Sequence, residues 1–397
     1  MTHPPRPSAP ASAGRHPRAG TAGAAAVAAL DGDILTPTGF VRGRLHIDQG
    51  RVTAIEGEPI TEAQARADGR PLLLPGFIDL HVHGGGGADT MEGADAVQRI
   101  ARLHARHGTT ALLATTMTAP LPEIEAALHA LAPACRERPA GAARVLGVHL
   151  EGPYINPGRL GAQPDFARDA SLDELRRLHA IAPIRLVTLA PEMDGHLALI
   201  APLRAAGFVV QLGHSAGSYE DGVAALEQGA TGFTHLFNAM TGLQHRAPGM
   251  TGAALAHARY AELIPDLLHV HPGAIRAALR AIPCLYCVTD STAAAGMPDG
   301  QYKLGRHTVT KCLGGVRLAD GTLAGSTLTM DQALRNLVGL GLPLVEASAR
   351  VSTHAADHLG ERERGRLQPG AWADVVVLDP DLALQRVIVE GDPIELA

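Results

Sequence analysis

The sequence is poor in cysteine, in aromatic residues and in long apolar runs. Four cysteines (Cys135, Cys284, Cys287 and Cys312) in 397 residues argue against a disulfide scaffold and fit a reducing compartment. No apolar run approaches the ~18 residues that span a bilayer, so the expectation is a soluble, cytoplasmic chain with no membrane partner. No cluster of Lys and Arg interleaves with the aromatics, which make up only 3% of the chain, and the net charge is −6. A nucleic-acid partner is therefore not expected. Asp and Glu are missing from the first 30 residues, which are rich in Ala and Pro and carry Arg6, Arg15 and Arg18. That loosely resembles a transit peptide, but prolines spoil an amphipathic helix, and residues 1–25 are read as a disordered N-terminal extension.

What is present is core. Hydrophobic residues make up 46% and charged residues 19%, the balance of a globular chain that can bury a sizeable interior. The length exceeds the soft prior of roughly 150 residues per domain and suggests one large unit plus a smaller one. From Asp31 to Gly57, stretches such as GRLHIDQGRVTAIEG alternate apolar and polar residues between Gly, Pro and Asp. The C-terminal GAWADVVVLDPDLALQRVIVEGDPI does the same, so residues 26–71 and 368–397 are expected to form one small β-sandwich domain from both chain ends. Between them, over 72–367, eight apolar runs are mostly separated by helical segments. They are LLLPGFIDLHVHG, TTALLATTM, ARVLGVHLEG, IRLVTLAPE, FVVQLGHS, GFTHLFN, AELIPDLLHV and CLYCVTD. This βα alternation predicts an α/β fold with a (β/α)8 TIM barrel, an open doubly wound sheet being the alternative. Ser171 with Glu174 three residues on marks a helix start.

In a barrel, polar residues at the C-terminal strand ends are functional candidates. His81 and His83 end the first run, Glu151 the third, His214 the fifth, His235 the sixth and Asp290 the eighth. Together they supply four imidazoles and two carboxylates, donors suited to a divalent metal. In a strand His81 and His83 point the same way, which a metal needs and two surface histidines do not. Asp290 suits a metal ligand, a general base, or both. With 20 histidines in the chain most have no such role, and His104, His107, His129, His179 and His257 fall in helical segments. Cys284-x-x-Cys287 lacks a second pair and reads as core. His269 and His271 repeat the H-x-H spacing; substrate contact is the economical role for His269, and His271 needs none.

A rival pattern runs through the same residues. GHSAG (213–217) fits a nucleophile elbow, HGGG (83–86) an oxyanion loop, and Asp290 and His354 follow in the order a serine esterase requires. The elbow would close the fifth of eight runs and leave His81, Glu151 and His235 idle, so an esterase using Ser215 is the distant alternative.

In order along about residues 30–395, PGFIDLHVHG, HLEGP, VTLAPE, LGHS, THLFNAM, the Arg246–Gly249 stretch, VTD and LAGSTLTM resemble the N-acetylglucosamine-6-phosphate deacetylases of the amidohydrolase superfamily. The resemblance implies a metal-dependent barrel with a small β domain, and hydrolysis of the acetamide of N-acetylglucosamine 6-phosphate to glucosamine 6-phosphate and acetate. It implies Glu151, His214 and His235 at the main metal, His81 and His83 at a second where one is held, and Asp290 as catalytic acid/base. It further implies substrate contacts from Asn238, the backbone of Ala239, Arg246 and His269, the last two facing the phosphate. A homodimer is implied too, since the arginine in this family can reach across a dimer interface. One or two divalent ions are expected, zinc first, with iron, manganese or cobalt according to supply. One departure is Gly161-Ala162-Gln163, where many members carry Gly-x-His near the scissile carbonyl. Gln163 can donate a hydrogen bond there but carries no charge. The galactosamine isomer, another N-acyl amide substrate, or an inactive scaffold are the remaining alternatives; an inactive scaffold should lack a ligand, and none is lacking.

Overall fold

In the computed structural model, residues 27–396 are described; the expected extension over 1–25 lies outside them. Strands Ala29–Thr36, Gly39–Asp48 and Arg51–Ile60 form an antiparallel meander. The two-residue link between the last two has φ of 49° at Gln49 and 77° at Gly50, the positive pair of a type I′ hairpin. The meander joins Leu72–Pro75, Val375–Leu378, Leu384–Val389 and Asp392–Ile394 in a single seven-stranded ladder built from both chain ends. Arg51 bridges back to Trp372, so the ladder is one curled sheet rather than two separate ones. Its interior is filled by Ile34, Leu45, Leu73, Val375 and Ile388.

Leu72–Pro75 opens the first apolar run yet pairs in this terminal sheet, parallel to Ala29–Thr36 and antiparallel to Val375–Leu378. Leu73 packs into the terminal sheet's core, while Leu72 and Leu74 pack with Phe77 and Val376 on the barrel side. A strand buried on both faces reads as an unbroken apolar run, so sequence pattern alone does not assign it to either sheet. Gly76 is the pivot: a Cβ there would lie 2.3 Å from the Thr110 hydroxyl.

The barrel strands are β1 (Phe77–Val82), β2 (Thr109–Thr116), β3 (Arg144–Glu151), β4 (Ile184–Leu189), β5 (Val209–Leu212), β6 (Gly232–Phe233), β7 (Tyr260–Leu263) and β8 (Cys284–Cys287). Parallel ladders join β1 through β6 in order, and β7 to β8. Two looser joints close the ring. Leu236 N–H donates to Glu262 O at 2.9 Å between β6 and β7, and His83 N–H donates to Ser291 O at 3.0 Å between β8 and β1. Eight parallel strands therefore surround one interior, as a TIM-type barrel, and the open-sheet alternative is set aside. After β8 an antiparallel insertion (Gly300–Leu304, His307–Cys312, Gly315–Arg317) lies over the mouth. It is tied down by Gly305 N–H to Asp89 at 2.9 Å and by Arg306 to Glu123 at 3.0 Å. The helix Leu172–Ile181 is capped by Ser171, but Glu174 turns away to accept from Tyr154 at 2.6 Å, so only half of the capping box forms.

A buried carboxylate adds a polar link between the terminal sheet and the barrel. Glu390 is 2% exposed and accepts a fork from Arg144, at the start of β3, with both bonds at 2.8 Å. Arg138 adds a bond at 3.1 Å and Arg364 one at 2.5 Å, Arg364 also pairing with Asp374. Burial pushes the Glu390 carboxyl up, but the guanidiniums of Arg144 and Arg364 outweigh it and hold it at about 2. Because the folded value lies below the ordinary one, this stabilisation is complete above about pH 4.5 and is lost as pH falls toward 2. Glu390→Gln leaves the Arg144 guanidinium without an anion and Arg138 and Arg364 with only Asp392 and Asp374, and should cost about 3–5 kcal/mol at neutral pH. Urea unfolding followed at Trp372, whose ring lies 4.2 Å from the Arg51 guanidinium and 5.0 Å from that of Arg364, checks this. The wild type and the variant should converge in stability as pH drops through that window, and a constant gap would refute the assignment.

Candidate metal centre

The donors converge because their strands end together. Glu151 is the last residue of β3, His81 lies in β1 with His83 just past it, and His214 and His235 each follow their strands by two residues. His214, His235 and Asp290 have φ of 48°, 29° and 47°, the left-handed region that side-chain-bearing residues rarely occupy. Such strain persists only where surrounding bonds over-determine it. Here His214 O accepts from Asn156, His235 O from Asn238, and Asp290 is clamped by its N–H to His81 O and its carbonyl to Ser326 N–H.

One carboxylate oxygen of Glu151 lies 3.1 Å from His214 Nε2 and 3.0 Å from His235 Nε2, and those two nitrogens are 3.0 Å apart. Its other oxygen lies 3.0 Å from His83 Nε2, which is 3.1 Å from His81 Nε2. Asp290 Oδ1 completes the group at 3.5 Å from His81 and 3.4 Å from His83. Donors about 2.0–2.1 Å from a tetrahedral ion sit roughly 3.3 Å from one another, so both triads, Glu151–His214–His235 and His81–His83–Glu151, fit a divalent cation. The tautomers agree. His214 Nδ1 faces Arg159 O at 2.9 Å, a group that can only accept, so its proton sits there and the Nε2 lone pair faces inward. Burial opposes charge throughout this cluster. Even so, Glu151, Asp290 and Glu262 hold the His81 imidazole well above its ordinary value, and the imidazoles hold the Glu151 carboxyl well below its own.

All of these donors except His81 line a cavity of about 240 Å³, together with Met117, Leu304 and Leu323. Gln163, Asn238, Ala239, His269 and Asp290 also line it. The Gln163 carboxamide is fixed at both ends, its oxygen accepting from Thr118 N–H at 2.7 Å and its nitrogen donating to Glu151 at 2.5 Å. His269 Nδ1 pairs with Asp266 at 2.7 Å, and Nε2 has no partner among the described residues. Burial lowers the His269 imidazole, but Asp266 outweighs it and raises the ring above its ordinary value. Arg246 is not in this cavity. It stands exposed on the loop after Asn238, in a separate cleft with Arg159 and Ser218.

Asp266, Glu262 and Thr118 are partners that sequence pattern did not single out. Glu262 had a visible signal, a charge inside the apolar run of β7, and Asp266 stands three residues before His269. The esterase constellation is not assembled: Ser215 donates to Glu192 at 2.6 Å, Asp290 faces His81 and His83, and His354 Nδ1 faces Leu285 O at 3.2 Å. Cys284 and Cys287 are free, and His271 caps the helix Pro272–Ala281.

Residues 72–394 match the model of the amidohydrolase family. The chain is 43% identical to the N-acetylgalactosamine-6-phosphate deacetylase of Escherichia coli O157:H7 over 90% of its own length and 96% of that protein's. It is 40% identical to the N-acetylglucosamine-6-phosphate deacetylase of Vibrio furnissii, over 87% and 88%. Its structure is similar, with a TM-score of 0.84 and 38% identity, to a mutant N-acetyl-D-glucosamine-6-phosphate deacetylase from Mycobacterium smegmatis in complex with N-acetyl-D-glucosamine-6-phosphate. That match covers 91% of this chain and 97% of the other.

The geometry predicts a contrast between two adjacent residues. His214→Ala should weaken metal binding by more than the ~10–100-fold that loss of an outer-shell partner costs. Ser215→Ala should leave metal content unchanged after dialysis and elemental analysis; equal losses would argue against the donor set.

Proposed function

The chain belongs to the amidohydrolase family, and on that premise we propose that it hydrolyses the acetamide of N-acetylglucosamine 6-phosphate, releasing acetate and glucosamine 6-phosphate. The observation that carries this reading is the meeting of Glu151, His214, His235, Asp290 and His269 around one cavity. Relatives named for that activity and matched over most of their length, such as the Vibrio furnissii enzyme, support the substrate. The galactosamine epimer, named for the Escherichia coli relative, is the less favoured reading.

Glu151, His214 and His235 would hold the main divalent ion, with His81 and His83 joining Glu151 at a second. One oxygen of Glu151 faces His214, His235 and His81 and the other faces His83, so both donor sets would share this carboxylate. Zinc is the first expectation, ahead of iron, manganese or cobalt. When bound, such an ion supplies Lewis acidity toward water and the acetamide carbonyl. The rest is the work of this chain's side chains. Asp290 accepts the proton of the attacking water and returns it to the departing amine nitrogen. Gln163 uses one amide hydrogen on Glu151 and has the second for the acetamide oxygen. Asn238 and the Ala239 amide, which is unpaired among the described residues, face the sugar. His269, whose imidazole Asp266 raises above its ordinary value, faces the phosphate, and Arg246 suits the phosphate of a second protomer, as expected for a homodimer. No helix among the described residues is long and apolar enough to cross a membrane; a cytoplasmic location is part of this proposal.

Acetate release should be fastest with N-acetylglucosamine 6-phosphate, slower with its galactosamine epimer, and much slower with the unphosphorylated sugar. Equal kcat/KM with and without phosphate would overturn the reading. Asp290→Asn should lower kcat by about 10²–10⁴-fold. The raised His269 imidazole also sets a pH dependence: its charge is lost as pH rises through the raised value, and KM should climb there. Asp266→Asn removes the carboxylate that sustains the charge, so the same climb should begin at lower pH. An unmoved profile would show that His269 does not bind phosphate as a cation.

A further inference from the structure

Glu262 is the one charged residue inside β7, and it is fully buried. Among the described residues no Lys or Arg lies within salt-bridge distance of it; its ionic partner is His81, with Nδ1 at 3.0 Å from Oε2. The same oxygen accepts the His235 N–H at 3.2 Å, and Tyr286 O–H reaches Oε1 at 3.4 Å. Beyond Tyr286 the polar groups are neutral: Gln211 donates to its hydroxyl, and His358 lies 3.0 Å from it. A buried carboxylate costs several kcal/mol unless positive charge reaches it. In this interior the route for that charge is the His81 ring, whose other nitrogen lies 3.1 Å from His83 Nε2 and 3.4 Å from Glu151.

We infer that Glu262 is a positioning residue for His81. It holds the Nδ1 proton and so turns the Nε2 lone pair toward His83 and Glu151, making that donor set a metal site in its own right. The inference rests on the two-ion reading proposed above. It adds a specific dependence, since occupancy of the second ion then requires a residue that touches neither the metal nor the substrate. Outer-shell carboxylates of this kind fix the tautomer and raise the basicity of a ligating imidazole. Through the His235 amide Glu262 also touches the first donor set; a glutamine oxygen can keep that backbone bond and accept from His81, so Glu262→Gln removes the charge that raises the basicity of His81.

The test is equilibrium dialysis of the full chain against Zn2+, with metal per chain measured for wild type, Glu262→Gln, His81→Ala and Tyr286→Phe. The wild type should take two ions. Glu262→Gln should keep the first and bind the second about 10–100-fold more weakly, approaching His81→Ala. Tyr286→Phe, which removes the partner on the far oxygen, should keep two. A merely structural role would instead lower the melting temperature of the metal-free protein and weaken both ions together. Glu262→Gln with two ions at unchanged affinity overturns the inference. A wild type that never takes a second ion overturns the two-ion reading beneath it, and does so before any substitution is compared. Should Glu262→Gln not fold, 15N-histidine NMR of the wild type decides. Zn2+-loaded protein should show His81 protonated on Nδ1, assigned by its loss in His81→Ala, and protonation on Nε2 would refute the role.

Discussion

Glu151 is buried among imidazoles, and the surrounding structure answers to that single fact. Four Nε2 atoms, from His81, His83, His214 and His235, lie within 3.4 Å of its oxygens. Neutral imidazoles that point lone pairs at one another and at a carboxylate repel. The arrangement holds together only when a cation or shared protons stand between them. The cost of keeping those lone pairs inward is met in the barrel wall: a carbonyl and a carboxylate face Nδ1 of His214 and His81, and left-handed backbone at His214, His235 and Asp290 aims the side chains. Beneath them the interior is polar rather than oily, with Thr188 bridging His149 at 2.8 Å and Thr234 at 2.7 Å. Such a layer ties β3, β4 and β6 together below the donors, so their spacing does not depend on loops alone.

The barrel and its candidate ligands were legible in the sequence because each donor ends an apolar run, and strand ends are where a parallel barrel presents chemistry. Other features carried no periodic signal. Leu72–Pro75 is buried on both faces, so its pattern is silent about which sheet it joins. Joints such as Leu236 to Glu262 depend on single backbone bonds beyond the regular ladder, which no residue type announces. Gln163 was visible as a departure from a motif, yet its double anchorage required knowing that Thr118, from the end of another strand, lies beside it. The GHSAG stretch shows the converse. Its pattern is local, while the partners that would make Ser215 a nucleophile are distant in space, and the serine instead fixes Glu192 and the turn at Gly217.

Gln163 and Arg246 bear on the same question of where charge is placed around a substrate. A histidine at 163 could add a proton near the scissile carbonyl. A glutamine cannot, and here its nitrogen is already committed at 2.5 Å to the Glu151 oxygen that faces His83. The amide therefore couples the carbonyl pocket to the second donor set, and the neutral residue is compensated if an ion in that set supplies the positive charge. The cavity is also lined by His269, whose imidazole Asp266 raises above its ordinary value, while Arg246 stands exposed in another cleft. One imidazolium is weak compensation for a phosphate dianion that leaves water. Either the phosphate stays partly solvated, or a guanidinium arrives from a second copy of the chain. An exposed arginine on a loop that also exposes Leu243 (56%) is suited to the second. Under the proposed function the barrel would supply its own metal ligands and proton carrier, and the guanidinium for the phosphate would come from a second copy of the chain.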